Sequence, residues 1–252
     1  MQEKSIDEPA YMQPVHVPKN HWLCCGIVFV ATWGIALVLW AQAAVDRSIL
    51  FALNCSHFSE IFVSGMQLFS GYGMPAIVFV YLCYIVLSFR ISALKDGRKI
   101  FLLIIFSFAV AGISGDLLKE VFDRTRPLFE YPGELRFLTG SKTPSFPSGH
   151  ATKSVAFVLP FIFYADYKKG LHTAVKYLLA VIALLVCISR IVLGAHYLSD
   201  VLAGAGLAFL CLQVSVLVSN KLLTKFPVDK FEHRFRIYIA IYLGLIVLLM
   251  ML

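Results

Sequence analysis

The chain has 252 residues, 59% of them hydrophobic, and a mean hydropathy of +0.79. Because soluble domains contain about 45–50% apolar residues, this composition excludes an ordinary soluble globular protein. The net charge of +7 is compatible with a nucleic-acid partner, but no basic soluble domain is present to bind one. Since Lys and Arg of membrane proteins collect in cytoplasmic loops, we expect a lipid bilayer and no nucleic acid around this chain.

Long apolar runs with few charges predict membrane spans, each of which needs about 20 residues. The fold class is therefore all-α, a polytopic membrane helix bundle with six core transmembrane helices and a seventh at the C-terminus. The seventh run has 16 residues and is either a full span, which we favour, or a helix that enters the bilayer in part. The runs lie at about residues 22–44, 74–89, 100–118, 151–165, 177–193, 198–218 and 237–252.

Two stretches between the runs have a different character. Residues 45–70 contain Asp46 and Arg47 among scattered apolar positions, a pattern typical of an amphipathic helix in the membrane interface. We expect that helix to end at Gly71-Tyr72-Gly73, where the chain breaks before the second span. Residues 119–150 are mostly polar and contain several prolines, so they are predicted to form a loop outside the bilayer.

The basic residues predict the orientation in the membrane. They follow the second, fourth and sixth spans, and the positive-inside rule places those loops in the cytoplasm. We therefore expect a cytoplasmic tail at 1–21, a membrane domain at 22–220 that contains the interfacial helix and the external loop, and a basic loop with an apolar helix at 221–252. This topology puts the N-terminus inside and loop 119–150 on the external, periplasmic face of the cell membrane.

Polar residues near the outer ends of the spans are the candidates for chemistry, because such residues are costly in lipid and usually functional. His196 and Asp200 are four residues apart and share one helix face. This pair indicates a nucleophile whose tautomer is fixed by a carboxylate. His150 begins the fourth span and is a candidate for protonating a leaving oxygen.

The other residues at these ends suit a phosphate. Lys119, Arg126 and Arg190 supply three positive charges, and arginine binds phosphate oxygens in bidentate fashion. Ser148-Gly149 immediately precedes a predicted helix, where free backbone N–H groups form an anion site. In the same loop, Arg124 and Lys142 are candidates for touching a substrate headgroup.

Three segments together resemble the tripartite signature of the type-2 phosphatidic acid phosphatase superfamily. They run from Lys119 to Arg126-Pro127, from Pro147 to His150, and from Ser189-Arg190 through His196 to Asp200. The family pattern reads K-x6-RP, then PSGH, then SR-x5-H-x3-D, and each of its positions is filled here. The resemblance extends over roughly residues 70–220 and is specific, because the three parts occur in order and in register.

The resemblance implies a role for each signature residue. His196 would attack phosphorus and form a phosphohistidine, Asp200 would orient it, and His150 would protonate the leaving group and then activate water. We expect no metal and no cofactor, because the family needs none and the sequence lacks the carboxylate cluster that suits Mg²⁺. The phosphoryl oxygens would be held by Lys119, Arg126, Ser148, Gly149 and Arg190.

A site at helix ends favours the headgroup phosphate of a membrane lipid as substrate. The resemblance favours a polyprenyl diphosphate, phosphatidylglycerophosphate or both. A lipid A phosphatase and a lipid phosphotransferase are alternatives within the family, and a non-enzymatic transporter of a phosphorylated ligand is the alternative outside it. No obligate protein partner is evident. Gly204 and Gly206 in the sixth span predict close helix packing.

Overall fold

The computed structural model describes residues 15–54, 58–91, 100–136, 142–164 and 170–225. All regular secondary structure within these ranges is helical, which confirms the all-α prediction. In chain order the described helices are α1 (His21–Ala41), α2 (Ala43–Leu53), α3 (Glu60–Arg90), α4 (Phe101–Phe122), α5 (Pro127–Glu130), α6 (Gly149–Tyr164), α7 (Gly170–Val192) and α8 (Leu198–Lys225).

Four of these helices are long and apolar enough to cross a membrane. They contain the stretches His21–Ala41, Glu60–Leu87, His172–Val192 and Leu198–Leu222. Each presents large apolar side chains outward, among them Val30, Phe79, Val181 and Leu217. Because so much outward apolar surface is unfavourable in water and is typical of a membrane interaction surface, these faces fit lipid, and the chain is a multi-pass membrane protein.

The stretch before the second predicted span differs from the prediction. A single interfacial helix at 45–70 is wrong, because α2 ends at Leu53 and α3 begins at Glu60. The expected break at Gly71-Tyr72-Gly73 is also wrong, since α3 continues through it to Arg90. A helical glycine costs about 1 kcal/mol relative to alanine, and packing offsets this cost here. A Cβ on Gly73 would lie 2.3 Å from Val186 Cγ2 of α7, so the glycine lets two helices approach.

Helix α8 lies at the centre of the bundle and packs against α1, α4 and α6. Helix α6 also contacts α4 and α7, while α3 packs mainly on α7. Both predicted packing glycines of α8 are confirmed. A Cβ on Gly204 would lie 2.6 Å from the carbonyl oxygen of Ser148, and one on Gly206 would lie 1.9 Å from Thr32 Oγ1 of α1. The close approach at Gly204 brings the start of α6 directly against α8, and the one at Gly206 brings α1 against α8.

Some predictions fall on parts of the chain outside the described ranges. The predicted seventh helix, 237–252, is one of them, and so are the basic stretches at 92–99 and 165–169 and most of the one after α8. The predicted external loop begins with the last turn of α4 and contains the short helix α5. Its other described residues, up to the start of α6, have no regular helix.

Candidate active site

One end of the bundle brings the predicted site residues together. The ends of α4 and α7 and the beginnings of α6 and α8 meet there, because α4 and α7 run in the opposite direction to α6 and α8. A cavity of about 450 Å³ lies among them. Six of the eight predicted residues line it: Lys119, Arg126, Gly149, His150, Arg190 and His196. The other two, Ser148 and Asp200, are fully buried beside it.

Ser148 joins the beginnings of α6 and α8. Its backbone N–H donates to the carbonyl of Asp200 at 2.9 Å, and its own carbonyl accepts from the N–H and the hydroxyl of Thr152, each at 2.9 Å. Gly149 follows at the cavity wall, where a Cβ would lie 3.4 Å from Lys119 Nζ. The glycine therefore leaves room for the lysine ammonium group beside the first turn of α6.

His196 lies in the turn between α7 and α8 and is almost fully buried. Its Nδ1 is 3.4 Å from Asp200 Oδ2, and its Nε2 is 3.4 Å from Arg126 Nη1 on the cavity side. A carboxylate beside Nδ1 favours the tautomer with its proton there, which leaves the Nε2 lone pair toward the cavity. Burial lowers the pKa of His196 to about 4, and Arg190 and Arg126 add to the effect against the opposing pull of Asp200.

A closed network of hydrogen bonds lies behind Asp200. Oδ2 of Asp200 accepts from the hydroxyl of Ser145 at 2.5 Å and from the N–H of Tyr197 at 2.9 Å. Its Oδ1 accepts from Arg124 Nη1 at 2.6 Å, while Nη2 of Arg124 donates to Asp46 Oδ2 at 3.0 Å. Asp46, from α2, also accepts from the backbone N–H of Ser199 at 3.2 Å and from its hydroxyl.

This network corrects the prediction for Arg124. The sequence suggested a headgroup contact, but the guanidinium is buried between the carboxylates of Asp46 and Asp200. It also lies over the rings of Tyr197, at 4.0 Å, and Trp40, at 5.0 Å. A buried charge is stable only when it is paired and hydrogen-bonded, so an arginine that is buried with two carboxylates binds them rather than a headgroup. Lys142 lies outside the cavity, in a separate depression near Arg124, and its headgroup contact stays a prediction.

The cavity itself carries uncompensated positive charge. Among the described residues that line it, none is acidic. The Nζ atom of Lys119 lies 3.9 Å from Oδ1 of Asp116, whose side chain is largely exposed. Arg126 donates from Nε to the carbonyl of Thr143 at 2.6 Å and from Nη2 to its hydroxyl at 3.0 Å. Arg190 donates from Nη1 to Ser70 Oγ, but its buried Nε has no partner among the described groups.

Sequence reasoning missed three members of this site. Asp46 and Ser145 support Asp200, and Lys153 lines the cavity. The signal for Asp46 was an acid in an apolar stretch, because buried acids need partners. The signal for Lys153 was its position three residues after His150, which places both residues on one helix face. Across the described part of the chain, no group of three or more His, Cys, Asp or Glu side chains is arranged to hold a metal ion.

Comparison with known proteins agrees with the signature. Residues 100–223 match the sequence profile of the PAP2 superfamily. The chain carries a PAP2 superfamily domain. This PAP2 segment contains every signature residue and all the cavity-lining residues except those of α3.

Two curated proteins are similar to part of the chain. Phosphatidylglycerophosphatase B of Bacillus subtilis is 38% identical over 114 residues, which cover 43% of this chain and 53% of that protein. Lipid A 1-phosphatase of Rhizobium johnstonii is 34% identical over 113 residues, covering 43% of this chain and 41% of that protein. The chain thus spans about half or less of the length of the curated relatives it matches.

Two crystal structures share the fold of the chain. The transmembrane PAP2-type phosphatidylglycerolphosphate phosphatase of Bacillus subtilis superposes with a TM-score of 0.56 at 22% identity, covering 80% of this chain and 97% of that one. LpxE of Aquifex aeolicus superposes with a TM-score of 0.50 at 20% identity, covering 67% and 93%. At these identities the likeness is one of fold alone.

Proposed function

We propose that this protein is an integral membrane lipid phosphatase that works through a phosphohistidine on His196 without a metal. The observation that carries the proposal is the contrast around His196. Its Nδ1 is held by Asp200 at 3.4 Å, while its Nε2 side opens on a cavity that is lined by cations and, among the described residues, by no acidic side chain. A neutral, oriented imidazole beside such a cavity suits nucleophilic attack on a phosphate ester.

The first step transfers the phosphoryl group to the enzyme. The Nε2 lone pair of His196 forms a bond to phosphorus, and the bond from phosphorus to the leaving oxygen breaks with its electron pair on that oxygen. His150, in the first turn of α6 and on the cavity wall, donates a proton to it. Asp200 stabilises the positive charge that develops on the imidazole. The charge on the phosphoryl oxygens would be held by Lys119, Arg126, Arg190 and the N-terminal turn of α6 at Ser148-Gly149.

The second step returns the enzyme to its starting state. His150, now neutral, takes a proton from a water molecule whose oxygen forms a bond to phosphorus. The bond from phosphorus to Nε2 breaks, and its electron pair returns to the His196 ring. Inorganic phosphate leaves, and each histidine recovers its initial protonation. The same phosphohistidine could pass its phosphoryl group to the hydroxyl or phosphate of a second lipid, which would make the protein a phosphotransferase.

A membrane lipid is the substrate class that the cavity supports. Besides the cations, it is lined by Met74 and Pro75 of α3 and by Phe108 of α4. Apolar walls next to a cationic centre match a molecule with a phosphate head and a hydrocarbon chain. We propose a polyprenyl diphosphate, phosphatidylglycerophosphate or both. Similarity to a protein named lipid A 1-phosphatase supports lipid A as the next candidate.

For the membrane topology we propose six core spans formed by α1, α3, α4, α6, α7 and α8, followed by a seventh at 237–252. The basic stretches after α3, α6 and α8 support a cytoplasmic location for the end of the bundle at which these three helices finish. The N-terminal tail 1–21 would then be cytoplasmic. The catalytic end, with residues 119–150, would face the outside of the cell membrane.

Replacing the nucleophile tests this function. The purified protein is assayed for phosphate release from a prenyl diphosphate, phosphatidylglycerophosphate, phosphatidate and lipid A. We expect turnover of at least one lipid by the wild type and a loss of about 10³-fold or more in His196→Ala. Exposed Lys19 provides the control variant Lys19→Met, which should retain full activity. Turnover of a soluble ester alone would exclude the lipid assignment, and full activity of His196→Ala would exclude the mechanism.

A further inference from the structure

The cavity contains a fourth cation, Lys153, that belongs to none of the signature positions. Lys153 is three residues after His150 on α6, which places it on the same face and about 4.5 Å farther along the helix. A Cβ built on Gly112 of α4 would lie 3.6 Å from Lys153 Cε. Gly112 precedes Lys119 by seven residues, or about two turns. Lys153 therefore lies deeper in the bundle than Lys119.

The environment of Lys153 lacks a negative charge. No carboxylate among the described residues lies within ion-pair distance of it, and none lines the cavity. Lys119, Arg190 and His150 line the same cavity and are close enough to interact with one another electrostatically. The four cations that line this space, Lys119, Arg126, Arg190 and Lys153, repel one another, so an anion in the space would stabilise the arrangement.

The position of Lys153 relative to the reacting atoms decides which anion it suits. If His196 attacks phosphorus between Lys119, Arg126 and Arg190, the leaving oxygen lies on the side of His150. The next group along the substrate then lies beyond His150, toward the apolar part of the cavity. In a phosphate monoester that group is an uncharged carbon atom. In a lipid diphosphate it is a second phosphate, followed by the hydrocarbon chain.

Resting on the proposed function, we infer that Lys153 is a specificity-determining residue that binds the chain-proximal phosphate of a lipid diphosphate. When the bond between the terminal phosphorus and the bridging oxygen breaks, the electron pair stays on that oxygen. The leaving group is then a lipid monophosphate with an added negative charge. The ammonium group of Lys153 stabilises this charge directly, whereas a departing alkoxide depends on the proton from His150.

The depth of Lys153 supports this assignment over a role as an interfacial anchor. A lysine that anchors a helix extends its ammonium group toward the headgroups at the membrane surface. Lys153 instead contacts the position of Gly112, about two turns before Lys119 on α4. A Cβ at Gly112 would be in ordinary van der Waals contact with Lys153 Cε, so the lysine packs directly against this position. A larger residue at that position would push the lysine out of the cavity.

Matched substrates and matched variants test the inference. The substrates are a prenyl diphosphate and the prenyl monophosphate of the same chain length, in the same detergent micelles. The variants are Lys153→Met, which keeps the length and removes the charge, Lys153→Arg, which keeps the charge, and Lys19→Met as a control at an exposed lysine. For each protein, kcat/KM is measured on both substrates, so that the monophosphate also reports on correct folding.

We expect Lys153→Met to lower kcat/KM for the diphosphate by about 10- to 100-fold, the range of a charge-assisted contact. The value for the monophosphate should fall by less than about 3-fold, and Lys153→Arg should recover most of the diphosphate activity. Equal losses on both substrates, or no loss on either, would overturn the inference and leave the phosphatase assignment standing. Failure of the wild type to release phosphate from any lipid would overturn both.

Discussion

The two ring nitrogens of His196 face regions that are organised in opposite ways. On the Nδ1 side, Asp200 accepts from Ser145, Tyr197 and Arg124, and Arg124 is in turn held by Asp46. The acids there are fully buried, and opposite charges lie side by side. This side is closed, and its groups satisfy one another.

The Nε2 side is open, and cations but no acidic side chains line it among the described residues. Lys119, Lys153 and Arg190 line the cavity there, and the Nε atom of Arg190 is buried without a partner in the described structure. Each unmade contact is costly in the empty protein. The same groups become strong donors when a phosphate enters, because little reorganisation is then required.

Under the proposed mechanism, this contrast lets His196 be both fixed in orientation and reactive. A saturated network holds the imidazole in one orientation and one tautomer. The cavity side keeps its hydrogen-bonding capacity for the charge that appears during the reaction. If this division is correct, changes on the closed side lower kcat, while changes on the open side also alter substrate preference.

The largest effect on the closed side is expected from Asp200→Asn. The amide keeps the shape of the carboxylate but removes the negative charge that stabilises the imidazolium, and it can favour the wrong tautomer. We expect kcat to fall by about 10³- to 10⁴-fold, with a smaller change in KM. Steady-state kinetics on the preferred lipid, together with a thermal melt to verify folding, measure this. A kcat within 10-fold of the wild-type value would contradict the orienting role.

A smaller effect is expected one step farther from His196, at Asp46. Among the described residues, Asp46→Asn leaves Arg124 with Asp200 as its one charged partner, so the guanidinium is held less firmly. We expect kcat to fall by about 10-fold with KM nearly unchanged, because Asp46 does not line the cavity. Glu134→Gln is the matched control, since Glu134 pairs with Arg47 at 3.3 Å on the surface. Equal kcat values for the two variants, with only the melting temperature of Asp46→Asn lowered, would reduce Asp46 to a structural role.

The smallest effect is a shift in the pH profile. The pKa of His196 is lowered from its usual value to about 4, so the imidazole is neutral above that pH and reactivity falls as pH drops through it. Arg126 contributes to the lowering, and Arg126→Gln removes a positive neighbour that opposes protonation. The acid limb of kcat/KM should therefore move to higher pH in that variant. Because the substrate titrates identically in both proteins, a limb that stays in place, or moves to lower pH, would contradict this account.

Much of the site could be predicted from the sequence, because its residues occur in short segments with fixed spacing. His196 and Asp200, four residues apart, required only the helical repeat to be paired. Asp46 could not be assigned in this way, since its contact with Arg124 spans 78 positions and depends on how α2 packs. Lys153 has the spacing of a site residue, but only the neighbouring Gly112 reveals that its side chain reaches into the cavity.

The fold shows the same division between local pattern and packing. Hydropathy identified the apolar helices, because lipid exposure is a property of each segment by itself. The continuation of α3 through Gly71 and Gly73 was missed, because glycine is a local signal for a break. Here Gly73 instead lies inside a helix and makes room for Val186 of α7. That role depends on a helix more than 100 residues later in the chain.

Trapping the covalent intermediate tests the central claim most directly. Wild-type protein is mixed with a lipid substrate carrying radiolabelled phosphate in its terminal position, quenched in alkali within the first turnover, and digested for peptide mapping. The account predicts an alkali-stable, acid-labile label on the peptide that contains His196, and no label in His196→Ala. A covalent label on a residue other than His196 would contradict it.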